Sequence, residues 1–189
     1  MNPIKLVILD RDGTINEDSS DYIKSADEWK ALPGAVEAIA RLNHAGWHVV
    51  VVSNQSGLGR GLFEVSDLND IHAKMHKQVA EAGGRIDAVF YCPHAPDEVC
   101  QCRKPLSGLF ELIAERYGLD LSGVPCVGDS VRDLVAGAIL GCEPHLVLTG
   151  NGMVYKGRTL PNTFPSGTHA HADLAAFAEF LIEREAVPS

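Results

Sequence analysis

The feature that most constrains this chain is a short apolar run, residues 4–9, that stops at Asp10, Asp12 and Gly13. The run is mostly aliphatic or β-branched and is bounded by turn residues, which is typical of a strand buried on both faces of a parallel sheet. Ligands of open α/β sheets bind at the carboxyl ends of such strands. The two aspartates therefore mark a candidate ligand site, and the alternative interpretation is an Asp-Gly turn without a ligand.

The rest of the chain alternates between strand and helix patterns. Strand patterns occupy 47–52, 86–91, 124–127 and 144–148, and helix patterns occupy 33–45, 66–82, 108–117, 131–140 and 172–183. This order predicts an α/β fold with a doubly wound, Rossmann-like parallel sheet of about five strands. The connections are short, so we expect a single domain over 1–189 with no large cap domain.

Composition and charge narrow the functional classes. The chain has 189 residues, 46% of them hydrophobic, and a net charge of -9, which argues against general binding to nucleic acid. No apolar run is long enough to span a membrane, and the start of the chain lacks a signal-peptide pattern. We therefore expect a cytoplasmic monomer with no nucleic-acid or membrane partner. If its ligand is anionic, positive charge must be concentrated at the binding site. Arg60, Arg103 and Lys104 are therefore candidate residues for binding that ligand.

Polar residues follow the ends of the first four predicted strands. Because the carboxyl ends of parallel strands share one edge of the sheet, these residues can converge on one pocket. A carboxylate there can attack phosphorus, magnesium can neutralise the charge between them, and a hydroxyl and an ammonium can hold the phosphoryl oxygens. The residues are, in chain order, Asp10 and Asp12, Ser53, Arg103 and Lys104, and Asp129 and Asp133.

In these motifs the chain resembles the haloacid dehalogenase superfamily of phosphohydrolases. A narrower resemblance is to the D-glycero-D-manno-heptose 1,7-bisphosphate 7-phosphatases, and it is carried by segments 53–55, 92–94 and 102–105. The resemblance extends over about 6–149, which is most of the chain.

The resemblance implies roles for the acidic residues. Asp10 would be the nucleophile and Asp12 the general acid and base. Magnesium would be held by Asp10, Asp129 and the backbone carbonyl of Asp12. The chain departs from the family at Ser130, where Lys is common. Asp133 would be either an outer carboxylate of the metal site or a residue of the helix face.

The resemblance also implies a phosphate site. Ser53 and Lys104 would bind the transferring phosphate, while Asn54 and Arg103 would secure that phosphate or the sugar. Arg60 lies in a glycine-rich loop, 57–61, that lacks the spacing of a nucleotide-binding fingerprint. We expect this loop to fold over the substrate and Arg60 to meet a distal group such as a second phosphate; the alternative is a solvated arginine.

A second metal site is indicated by a C-x-H-x5-C-x-C pattern. Three thiolates and one imidazole suit tetrahedral zinc, and four protein ligands leave no open position, so this zinc would be structural. We expect it to brace the loop, at about 92–102, that precedes the phosphate-binding cations; unligated thiols or a disulfide are the alternatives. The four ligands are Cys92, His94, Cys100 and Cys102.

For several other polar or aromatic residues we expect a structural role or simple exposure to solvent. His72 and His76 lie one helical turn apart with no third ligand evident, so we expect a solvated helix face. His169 and His171 follow a loop rich in Gly, Pro and Thr, and we expect them to be exposed. Tyr22 is expected to pack against the domain.

The leading functional interpretation is a magnesium-dependent phosphatase. Its reaction, in bacterial heptose and lipopolysaccharide-core biosynthesis, would convert heptose 1,7-bisphosphate to heptose 1-phosphate through an aspartyl-phosphate. One alternative is histidinol-phosphate phosphatase, whose family resembles this chain in its aspartate motifs and zinc loop. Another is a phosphoryl-accepting receiver module, which has no need of a zinc loop or an acid/base such as Asp12.

Overall fold

The computed structural model describes residues 4–187, which form a six-stranded sheet in which every pairing is parallel. The strand order is β3-β2-β1-β4-β5-β6, which confirms the predicted doubly wound sheet. The sheet contains one strand more than the five predicted. The strands are β1 (Leu6–Leu9), β2 (His48–Asn54), β3 (Ala88–Cys92), β4 (Pro125–Gly128), β5 (Glu143–Val147) and β6 (His169–His171).

Helices connect the strands close to their predicted positions. Helix α3 begins before the predicted Ser66, because Glu64 caps it and exchanges hydrogen bonds with Asp67 in a capping box. Among residues 4–187, no helix is both long and apolar enough to cross a bilayer. The helices are α1 (Ala35–His44), α2 (Ser56–Gly59), α3 (Val65–Glu81), α4 (Gly108–Tyr117), α5 (Val131–Ala138) and α6 (Leu174–Ala186), with 3-10 helices at Ala26–Glu28 and Gly150–Tyr155.

Strand β1 lies at the centre of the sheet and is buried on both faces. Val7 and Leu9 belong to one core cluster, with helices α1, α3 and α6. Leu6 and Ile8 belong to the other cluster, with α4 and α5. Each such fully buried side chain contributes about 1.5–3 kcal/mol to folding. This burial fixes the position at which β1 ends, and therefore the position of Asp10.

The sixth strand occupies a segment where no strand was predicted. His171 of β6 pairs with Val147, and His169 with His145. The expectation that both β6 histidines are exposed is correct for His169 and wrong for His171, which is buried. Three residues are too few to produce a strand pattern in the sequence.

His145 and His171 form a buried hydrogen-bonded chain with Glu143. The Glu143 carboxylate accepts from His145 Nε2 at 2.5 Å, which leaves His145 Nδ1 to accept from His171 Nε2 at 2.9 Å. Arg184 also donates to Glu143, at 2.7 Å, and His169 stacks on His145. Burial lowers the pKa of both His145 and His171 from 6.5 to about 4.

This arrangement predicts that stability falls with acidification. The unfolded chain protonates both histidines below pH 6.5, whereas the folded chain keeps them neutral down to about pH 4, so stability is lost as pH falls through that window. At about 1.4 kcal/mol per pH unit, each of the two histidines should contribute a loss of roughly 2 kcal/mol between about pH 7 and pH 5 in urea unfolding. Other buried groups titrate over the same range, so the test is the difference between variants. The change in the free energy of unfolding from pH 7 to pH 5 should be about 2 kcal/mol less unfavourable in His145→Gln than in the unsubstituted protein, while the exposed His76→Gln should match the unsubstituted protein. The same pH dependence in His145→Gln and the unsubstituted protein contradicts the assignment.

Candidate active site

The carboxyl ends of β1, β2 and β4 meet at a cleft of about 240 Å³. Ser53 is buried beneath it, as the penultimate residue of β2 rather than beyond the strand. Residues that the sequence did not single out as functional also line the cleft, among them Tyr22, Gln55 and Arg132. The predicted site residues that line it are Asp10, Asp12, Asn54, Arg60, Arg103 and Lys104.

Lys104 lies at the floor of this cleft with its ammonium fully engaged. Its Nζ is 2.7 Å from Asp10 Oδ1, 2.7 Å from Asp133 Oδ1, and donates to the carbonyl of Val52 at 3.0 Å. Three acceptors match the three protons of an ammonium. Burial by itself would lower the pKa of Lys104, but the two carboxylates outweigh it and raise that pKa. The side chain therefore stays charged beside Asp10.

Asn54 holds the backbone of Lys104 in place. Its Oδ1 accepts from the Lys104 amide at 3.0 Å, and its Nδ2 donates to the Lys104 carbonyl at 3.1 Å. This pair joins the end of β2 to a residue 50 positions later. The predicted contact of Asn54 with phosphate or sugar stays a prediction, since its amide is paired with the backbone here.

Three buried carboxylates crowd the metal side of the site. Oxygens of Asp10, Asp129 and Asp133 lie within 4.8 Å of one another. Burial raises the pKa of Asp10 to about 7, with Asp133 adding to the effect and Lys104 opposing it. Burial and the neighbouring carboxylates raise the pKa of Asp129 to about 9. One lysine does not balance three carboxylates, so the cluster fits a divalent cation with oxygen ligands, such as magnesium.

Asp133 links helix α5 to the lysine. Its Oδ2 accepts from the backbone N and the Oγ of Ser130, at 3.1 and 2.8 Å, in the capping box that begins α5. Its Oδ1 contacts Lys104. Asp133 is buried, and the departure from the family at Ser130 thus places a helix cap where Lys is common.

Asp129 is held by a residue that the sequence analysis missed. Asn151, in the 3-10 helix after β5, donates to Asp129 Oδ2 from its backbone N at 2.8 Å and from Nδ2 at 3.1 Å. Gly13 and Gly150 both have positive φ and pack against this carboxylate, where an added Cβ would collide with Oδ2. The rule that polar residues follow strand ends, applied to the fifth strand, would have found Asn151.

The carboxylate of Asp12 has a fixed orientation. Arg11 donates to it from Nε at 2.9 Å and from NH2 at 3.1 Å, and Asn16 donates at 2.9 Å. The amide of Gln55 bridges Asp12 Oδ2, at 3.1 Å, and Ser53 Oγ, at 2.7 Å. Five positions, four of them in the loops after β1 and β2 and one near the end of β2 itself, therefore form one hydrogen-bonded unit.

Three arginines form a cationic rim around the cleft. Arg103 NH1 is buried and has no hydrogen-bond partner among the described residues, so it is free to donate a hydrogen bond to an anionic ligand. The Arg60 guanidinium lies 6.0 Å from the ring centre of Tyr22, and Arg132 lines the cleft from the start of α5. Tyr22, which is half-buried and has a φ of 62°, lines the cleft as well.

The four predicted zinc ligands converge beside the cleft. Cys92 Sγ lies 2.9 Å from Cys102 Sγ and 3.4 Å from His94 Nδ1, and Cys100 Sγ lies 3.8 Å from Cys92 Sγ. All four donor atoms lie within 4.8 Å of one another, and the three cysteines are free thiols. The donor set and its spacing fit a tetrahedral zinc ion.

Comparison with known proteins shows which families and relatives the chain is similar to. A family model described as polynucleotide kinase 3 phosphatase matches residues 5–136, and a HAD-hydrolase-like model matches 101–177. The D-glycero-β-D-manno-heptose-1,7-bisphosphate 7-phosphatase of Bordetella bronchiseptica is 56% identical over 95% of this chain and 99% of its own. The protein of that name from Pseudomonas aeruginosa is 51% identical over 94% and 98%.

The chain belongs to the heptose-1,7-bisphosphate 7-phosphatase family of the haloacid dehalogenase superfamily. A solved D,D-heptose 1,7-bisphosphate phosphatase from B. bronchiseptica, complexed with magnesium and phosphate, superposes with a TM-score of 0.90 at 55% identity, covering 95% of this chain and 99% of that one. The Burkholderia thailandensis structure gives a TM-score of 0.71 at 53% identity, over 94% and 98%. These findings confirm the family and fold that the motifs indicated.

For this family member we predict a large stability loss when the buried ammonium is removed. Lys104→Met leaves the carboxylates of Asp10 and Asp133 buried without their counter-charge, and breaking such a pair costs about 3–5 kcal/mol. Lys5→Met removes an exposed pair with Glu185 and should cost less than about 1 kcal/mol. Chemical denaturation at neutral pH measures both. A loss at Lys104 no larger than that at Lys5 contradicts the ion-pair description.

A second prediction concerns the Cys/His cluster. Cys100→Ser should abolish stoichiometric zinc in the purified protein, as measured by elemental analysis, because it removes one of four ligands. A loss of about 2 kcal/mol or more should lower Tm by at least about 4 °C for a chain of this size. Cys142→Ala, a buried thiol outside the cluster, should keep its zinc. Unchanged zinc content in Cys100→Ser excludes the assigned ligand set.

Proposed function

We propose that this chain is a magnesium-dependent phosphatase that hydrolyses the 7-phosphate of D-glycero-β-D-manno-heptose 1,7-bisphosphate and releases heptose 1-phosphate. The observation that carries the proposal is Lys104 Nζ, 2.7 Å from Asp10, at the floor of a cleft with a rim of arginines. A nucleophilic carboxylate beside a fixed cation is the arrangement that phosphoryl transfer requires. Relatives over 50% identical bear the name of this reaction.

The first step transfers the phosphoryl group to the enzyme. An oxygen of Asp10 attacks the phosphorus of the 7-phosphate, and the bond between phosphorus and the sugar oxygen breaks. Asp12 gives a proton to the departing alkoxide. In the second step Asp12 takes a proton from water, which attacks the phosphorus of the aspartyl-phosphate and frees Asp10 and inorganic phosphate.

The phosphoryl oxygens need several donors during both steps. In the proposal Lys104 exchanges one of its three present acceptors for a phosphoryl oxygen. The hydroxyl of Ser53, which Gln55 orients, binds another phosphoryl oxygen. Asp10, Asp129 and the backbone carbonyl of Asp12 hold magnesium, which neutralises charge between the carboxylates and the phosphoryl group.

The second phosphate distinguishes this substrate from a simple sugar phosphate. The proposal places it against the arginine rim, with Arg60 and Arg103 as its main partners. The unpartnered NH1 of Arg103 and the position of Arg60 at the cleft support this assignment. Arginine is well suited to phosphate because its planar fork donates two parallel hydrogen bonds.

The arginine rim also favours the heptose bisphosphate over the two alternative functions, histidinol-phosphate phosphatase and a receiver module. Histidinol phosphate carries an amine at its distal end, and a cationic rim repels that charge, whereas it attracts a second phosphate. A receiver module needs no rim around its phosphoryl acceptor and no zinc loop. The heptose bisphosphate is therefore the substrate that the cleft fits best.

The remaining parts of the proposal concern the context of the enzyme. We propose a single phosphatase domain over 1–189 that works as a monomer in the cytoplasm, with a small sugar phosphate as its partner and without nucleic acid or membrane. The acidic charge of -9 supports the absence of nucleic acid. Cys92, His94, Cys100 and Cys102 would hold a structural zinc that braces the loop before Arg103 and Lys104.

Phosphate release by the magnesium-loaded protein tests the proposal. The substrates are both anomers of heptose 1,7-bisphosphate and histidinol phosphate, and Asp10→Asn is the inactive control. We expect the β-anomer to be the preferred substrate and phosphorus NMR to show that the 7-phosphate is lost. Preference for histidinol phosphate, or loss of the 1-phosphate, contradicts the proposal.

Arg60→Gln tests the second phosphate site. A charged hydrogen bond contributes about 1.5–3 kcal/mol, so kcat/KM for the bisphosphate should fall by roughly tenfold or more. The value for heptose 7-phosphate, which lacks the distal phosphate, should change little. Equal losses on both substrates, or no loss on either, would remove Arg60 from the distal site.

A further inference from the structure

Arg11 is a fully buried arginine between the two catalytic aspartates in the sequence. Its Nε and NH2 bind the carboxylate of Asp12, and its NH1 lies 3.1 Å from Nε2 of His72 on helix α3. His72 is itself buried, with 9% of its surface exposed, so the expectation of a solvated helix face is wrong at this residue. It is correct at His76, which is exposed.

The contact fixes the protonation state of His72. A guanidinium can only donate hydrogen bonds, so Nε2 of His72 must accept, and the ring proton is on Nδ1. A protonated ring would point a second donor at the buried cation. Burial, assisted by the charge of Arg11, lowers the pKa of His72 to about 4, which keeps the ring neutral near pH 7.

We propose that His72 is a positioning residue for catalysis, which acts through Arg11 to fix the carboxylate of Asp12. The inference rests on the proposed function, in which Asp12 is the acid and base. His72 accepts from the one guanidinium nitrogen that Asp12 does not engage. Each end of Arg11 thus has a partner, and the side chain cannot rotate without leaving a buried donor unpaired.

The placement of His72 on α3 supports a role beyond packing. This helix has five buried residues, and His72 is the polar one; the others are Leu68, Ile71, Met75 and Val79. An apolar side chain there would pack against the same neighbours but leave Arg11 NH1 without an acceptor. Helix α3 therefore couples its core packing to the orientation of the acid/base.

Steady-state kinetics on heptose 1,7-bisphosphate separates positioning from packing. His72→Leu should lower kcat by about tenfold or more, a part of the 10²–10⁴ that general acid–base catalysis supplies, and leave KM within about twofold. His72→Gln, whose Oε1 can accept from Arg11, should recover most of the loss. His72→Asn is polar but too short to reach Arg11 and should match His72→Leu. The exposed His76→Leu should behave as the unsubstituted protein.

p-Nitrophenyl phosphate adds a readout that a packing defect does not mimic. Its leaving group departs without a proton, so formation of the phosphoenzyme does not need Asp12, while its hydrolysis does. His72→Leu and His72→Asn should therefore give a rapid burst of p-nitrophenolate followed by a slower steady rate.

Three results would overturn the inference. The first is a kcat for His72→Leu and His72→Asn equal to that of the unsubstituted protein. The second is a His72→Gln variant as impaired as His72→Leu. The third is an unsubstituted protein that is inactive on the bisphosphate, which overturns the proposed function as well. Activity of that protein together with either of the first two results overturns the role of His72 alone.

Discussion

The structure of the site depends on one buried ammonium. Removing a lysine from water is costly, and at Lys104 that cost is offset by two carboxylates and a carbonyl that come from separate parts of the chain. Asp10 follows β1, Val52 lies in β2, and Asp133 lies in the first turn of α5. The ammonium therefore ties together the sheet, a helix and the loop that carries it, and Asn54 fixes its backbone from the end of β2.

Charge changes sign from the floor of the cleft to its rim. Asp10 lines the floor, and Asp129 and Asp133 lie within 4.8 Å of it, so this end of the cleft is acidic. An acidic end suits a divalent cation and disfavours an anion bound without one. Arg60 and Arg103 make the rim basic, although the whole chain carries a charge of -9. Such a gradient favours a ligand with one phosphate at the metal and a second anionic group nearer to the solvent.

Much of the site follows from the sequence because it obeys the strand-end rule: Asp10, Asp129 and Lys104 all lie where a parallel sheet collects polar residues. The contacts that orient these side chains cannot be predicted from the sequence. The bond between Asn54 and Lys104 spans 50 residues, and nothing local in the sequence encodes that pairing. The burial of His72 depends on which side of α3 faces Arg11, and a histidine beside an apolar stripe fits either orientation. The sixth strand was missed because three residues show no periodicity.

In the proposed reaction, Asp10 carries the phosphoryl group during turnover. The most direct measurement is rapid acid quenching of the magnesium-loaded protein with heptose 1,7-bisphosphate, followed by peptide mass spectrometry. The account predicts a transient acyl-phosphate on Asp10 that is absent in Asp10→Asn. A phosphoryl group on another residue, or phosphate release with no phosphorylated peptide at any quench time, would contradict it.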